Sequence, residues 1–73
     1  MDEFLTEMAE IVDEPSVQPA DVLDGFEAWD SLAELSVLAM ADAKFGVRLT
    51  AQELRGAVTV EDVYGLIAAK KAA

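Results

Sequence analysis

Neither cysteine nor histidine occurs in this chain of 73 residues, so it has no disulfide, no thiolate and none of the usual zinc ligand sets. A domain of this length buries only about 60% of the surface its unfolded chain exposes. There is room for one core and one domain, covering residues 1–73, and that core has to come from apolar side chains on regular elements. The apolar fraction of 53%, regularly spaced, predicts a folded chain rather than a disordered acidic tail.

The spacing is helical. Phe4, Leu5, Met8, Ile11 and Val12 recur on one face with acids between them, which predicts an amphipathic helix over 2–13, ended by Pro15. From Glu14 to about Trp29 the chain carries Pro15, Pro19 and Gly25 and no sustained period, so a long connection is expected, with a short helical turn after Pro19. Connections of this kind are uncommon in small domains and often functional. A second helix is expected from Ser31 to Phe45, with Leu32, Leu35, Leu38, Ala39 and Phe45 inward and Gly46 as its C-cap. Thr50-Ala51-Gln52-Glu53 reads as a capping box opening a short third helix over 51–55. Thr59-Val60-Glu61-Asp62 is a variant with Asp in the reciprocal position and opens a fourth over 60–70. Val60, Val63, Tyr64 and Ile67 supply its inner face, and Lys70 and Lys71 suit its negative C-terminal end. No segment alternates as a strand should. The expected fold class is all-α, a small four-helix bundle with a long first loop and a short third helix.

Charge narrows the possible functions. All five basic residues follow position 43, whereas twelve of the fifteen acids lie at or before it. A one-sign field of this kind repels phosphate backbones and anionic lipid and attracts proteins with basic docking patches, so neither nucleic acid nor membrane is expected as a partner. Without Cys or His the common Ser-His and Cys-His nucleophile pairs are missing, and no enzymatic chemistry is expected of the chain alone. Met1-Asp2-Glu3-Phe4 starts acidic rather than as a secretory signal, and no stretch approaches the roughly 20 apolar residues of a membrane span. A soluble, cytoplasmic monomer is the expectation. Asp21-Val22-Leu23-Asp24-Gly25 lacks the alternating ligands of a calcium loop, and no metal site is expected.

The segment Trp29-Asp30-Ser31-Leu32 is the most informative one. Ser31-Leu32-Ala33-Glu34 forms a Ser-x-x-Glu capping box, and the plain reading of Ser31 is a helix cap. Asp30 is an alternative cap, Trp29 a packing residue for the loop, and Leu32 either a buried residue or an exposed contact. Several further elements stand at characteristic separations: an acidic first helix, the long loop, Lys44-Phe45-Gly46-Val47 closing helix two, the short helix around Glu53-Leu54, and Thr59-Val60 before the last helix. Together they make the chain resemble the acyl carrier protein family over nearly its whole length.

That resemblance implies a stand-alone carrier of acyl or related groups. It implies that Ser31 receives a covalent 4'-phosphopantetheine arm from a phosphopantetheinyl transferase, and that the arm ends in a thiol on which cargo rides as a thioester. Asp30 would support the modification. Leu32, Glu34 and Asp42 would meet partners, namely acyl-activating ligases, synthases or acyltransferases with basic docking patches. The alternative is an unmodified helical interaction module that keeps the carrier-like fold and uses Ser31 only as a cap. Fatty-acid carriers commonly read Asp-Ser-Leu-Asp-x-Val-Glu with an acidic stripe along helix two, whereas this chain has Ala33, Ser36 and Lys44 in that region. The departure points away from central fatty-acid synthesis and toward a specialised biosynthetic pathway. The Gly-Gly-x-Ser pattern of peptidyl carriers is absent.

Overall fold

The computed structural model describes residues 2–72. Among them are four α-helices: α1 (Asp2–Ile11), α2 (Ser31–Phe45), α3 (Ala51–Arg55) and α4 (Val60–Ala72), with one 3₁₀ turn at Leu23–Gly25. The radius of gyration is 10.9 Å, against about 11 Å for a folded chain of this length. No strand forms among the described residues, only an isolated antiparallel bridge between Val22 and Thr59.

The helix ends follow local chemistry. α1 stops two residues short of the expected boundary, because Asp13 takes a left-handed conformation (φ 57°) and the Glu14 N–H donates to the Ala9 carbonyl at 2.9 Å. Asp tolerates that region better than most residues. Gly46 ends α2 in the same conformation (φ 66°), and the N–H groups of Gly46 and Val47 donate to Asp42 and Ala41 in a Schellman closure. At α3 the Thr50 capping box is complete in both directions, at 3.0 and 3.1 Å. At α4 the Asp62 carboxylate accepts from the Val58 and Thr59 N–H groups, while the Thr59 hydroxyl accepts from the Asp62 N–H.

Phe4 and Met8 from α1, with Val12 just beyond it, meet Val37 from α2, Leu54 from α3 and Val60, Val63 and Ile67 from α4 in one core, with Leu23 of the 3₁₀ turn inserted among them. The Phe4 ring lies against Tyr64 (5.3 Å) and edge-on to Phe45 (6.3 Å), tying α1 to both long helices. The long connection is therefore anchored, with Phe26 and Trp29 also packed on the core and the Leu23 N–H donating to the Val58 carbonyl.

One expectation is overturned. The inner face assigned to α2 is largely its outer one: Leu32 and Leu35 are 71% and 60% exposed, and Ala39 is exposed. Ala33, Val37, Met40 and Ala41 are buried instead, while Leu38 and Phe45 are half-buried at the margin. α2 is apolar almost all round, so no single stripe marks its buried side.

Candidate functional site

The serine expected to cap α2 does not do so. Asp30, extended at φ −141° and ψ −171°, is the N-cap, and its Oδ1 accepts from the Ala33 N–H at 2.9 Å. The Ser-x-x-Glu reading of Ser31 is thus corrected by one residue: the loop enters the helix so that the aspartate carboxylate reaches the third N–H. Ser31 becomes the first helical residue, exposed, and its hydroxyl makes no hydrogen bond among the described residues.

The surroundings of that hydroxyl suit an anion in one respect. The first N–H groups of a helix lack intrahelical partners and sit at the positive end of its dipole. Ala33 is satisfied by the Asp30 side chain and Glu34 by the Asp30 carbonyl at 3.0 Å, which leaves the N–H groups of Ser31 and Leu32 turned to the loop end of the helix. The Asp30 carboxylate opposes an anion, yet only its Oδ1 is engaged among the described residues.

The expected partner residues are treated unequally. Leu32 stands out from the surface next to Ser31, and Leu35, one turn on, joins it. Glu34 is not free: its carboxylate pairs with Arg55 of α3 at 3.6 Å and its side chain is only 19% exposed. Asp42 is exposed and forms no ion pair among the described residues. The three positions that break the acidic pattern have separate causes. Ala33 is buried, the Ser36 hydroxyl donates to the Leu32 carbonyl at 3.0 Å, and Lys44 pairs with Glu7 of α1 at 3.6 Å. Trp29 packs on the core as expected of it.

Sequence reasoning missed two features here. One is the Glu34–Arg55 pair, which joins α2 to α3 across 21 positions of chain and has no local signal. The other is the exposure of Leu35, which the spacing Leu32, Leu35, Leu38 disguises as a core stripe. No group of three or more His, Cys, Asp or Glu among the described residues is arranged to hold a metal, and no described helix is long and apolar enough to cross a membrane. Compared with family models, curated proteins and solved structures, the chain matches none of them.

Proposed function

We propose that this chain is a carrier whose working group is attached at Ser31. The observation that carries the reading is the release of that hydroxyl: Asp30 has taken the cap, so Ser31 sits exposed at the head of α2, with no hydrogen bond to its hydroxyl among the described residues and Leu32 projecting beside it. The rival module, in which Ser31 serves only as a cap, loses its reason for a serine there. The resemblance of the surrounding segments to acyl carrier proteins supplies the kind of group, a 4'-phosphopantetheine arm whose thiol carries acyl or similar cargo as a thioester.

The residues present fit such an arm. Its phosphodiester would lie by the N–H groups of Ser31 and Leu32 at the positive end of α2. The free Oδ2 of Asp30 is available to a transferase and its metal ion during attachment. Partners of the loaded protein would be ligases, synthases or acyltransferases that meet Leu32, Leu35 and Asp42. Glu34, tied to Arg55, supports the surface more than it offers charge.

The weak acidic pattern on α2 supports service in a specialised pathway rather than in central fatty-acid synthesis. A fatty-acid ketosynthase should therefore use the loaded protein poorly beside a fatty-acid carrier, and equal use in paired elongation assays would remove this part of the reading.

The test of attachment is intact mass after incubation with coenzyme A and a broad-specificity phosphopantetheinyl transferase. The parent chain should gain one arm and Ser31→Ala none. A parent that gains nothing from any competent transferase overturns the proposal, and an alanine variant that still gains mass moves the site elsewhere.

A further inference from the structure

α2 places its two ends about 21 Å apart, and the end away from Ser31 has a different character. There Phe45, Gly46, Val47, Arg48, Lys70 and Lys71 line a cleft of about 550 Å³. Three of the five basic residues of the whole chain line it, and no acid does.

Helix electrostatics explains only part of this gathering. Lys70 and Lys71 lie in the last turn of α4, where the negative end of the dipole favours cations, and Lys70 is held by Glu53 at 3.0 Å. Arg48 belongs to no helix, is exposed, and forms no ion pair among the described residues. Lys71 lies over the Phe45 ring at 5.8 Å, and its ammonium pairs with no carboxylate among the described residues. Two cations with no carboxylate partner among the described residues thus stand around a half-buried aromatic ring, on a molecule whose net charge is −10.

We propose that this cleft docks an acidic protein segment bearing an apolar side chain, at a site separate from Ser31. The Arg48 guanidinium offers paired donors to one carboxylate, Lys71 a point charge to a second, and Phe45 a surface for the apolar group. The net charge of −10 repels acidic bodies at long range, which disfavours a second copy of this chain or a large acidic surface. A short linear segment feels mainly the local cations. Because the cleft and Ser31 lie at opposite ends of α2, a partner held here leaves the serine end open.

The probe is a synthetic peptide of glutamates flanking a leucine, titrated into the isotope-labelled protein at low salt and followed by amide chemical shifts. Saturable shifts are expected at residues 45–48 and 70–71, with little change near Ser31. Arg48→Gln with Lys71→Gln should weaken binding roughly tenfold or more, whereas the charge-matched pair Lys44→Gln with Arg55→Gln should weaken it by about twofold or less. Equal loss in the two double variants would reduce the effect to net charge and overturn the proposal, as would unsaturable or scattered shifts in the parent. Unchanged helical circular dichroism confirms that each variant is folded. None of these readouts depends on an arm at Ser31.

Discussion

The bond from the Ala33 N–H to the Asp30 carboxylate decides what substitution at either member of the Asp30-Ser31 pair should do. Asp30→Ala removes the cap and should cost about 0.5–2 kcal/mol, read as a lower melting temperature. Ser31→Ala removes an exposed hydroxyl with no hydrogen bond among the described residues, so its melting temperature should stay close to the parent's. If the serine variant is the less stable of the two, the hydroxyl is the cap after all. Gly46 is a second residue with a backbone duty. A methyl group there meets nothing within 4 Å, but at φ 66° an L side chain is strained, so Gly46→Ala should cost about 1–2 kcal/mol through conformation alone. A loss well under that in chemical denaturation would mean that the turn relaxes out of the left-handed region.

At the scale of the element, the two faces of α2 should respond oppositely to truncation. Val37 is fully buried, and Val37→Ala should cost about 1.5 kcal/mol or more from lost burial and the gap left behind. Leu35→Ala should lie within about 0.5 kcal/mol of the parent, and comparable losses in denaturant would restore the face expected from spacing. α3 and the start of α4 share a different dependence. The Glu53 carboxyl is held below its usual range first by the Thr50 N–H and then by Lys70, and the Asp62 carboxyl by the N–H groups of Thr59 and Val58. Since both titrate lower in the folded than in the unfolded chain, their support is present above the ordinary carboxylate range and is lost as pH falls through the lowered values. The melting temperature should therefore hold on the neutral side and decline in acid. Glu53→Gln with Asp62→Asn should flatten that decline; an unaltered acid slope in the double variant assigns it to other carboxylates.

For the molecule as a whole, the charge of −10 is divided into a dominant acidic body and one basic cleft, and the two should act over different ranges. Encounter with a basic partner such as the proposed transferase draws on the entire field, so its association rate should fall as salt is added. A rate independent of salt would show that apolar contacts at Leu32 and Leu35 govern the encounter.

What the amino-acid order determined by itself is the set of local events. The caps at Thr50 and Thr59, the Gly46 stop, the span of α2 and the inward residues Val60, Val63 and Ile67 all rest on bonds or periods within a few positions of chain, and each was legible there. Tertiary structure decided the choices between near-equals. Asp30 and Ser31 are both good caps, and the path of the anchored loop, pinned by Leu23, Phe26 and Trp29, selects which one reaches the open N–H. α2 offers apolar residues in nearly every direction, and only contact with α1, α3 and the shared core selects Val37 and Met40 over Leu32 and Leu35. The Glu34–Arg55 and Lys44–Glu7 pairs join distant parts of the chain, so they exist only once the helices have packed. The candidate site follows the same division: the segment around Ser31 was readable as a string, but the freedom of its hydroxyl was decided by the fold.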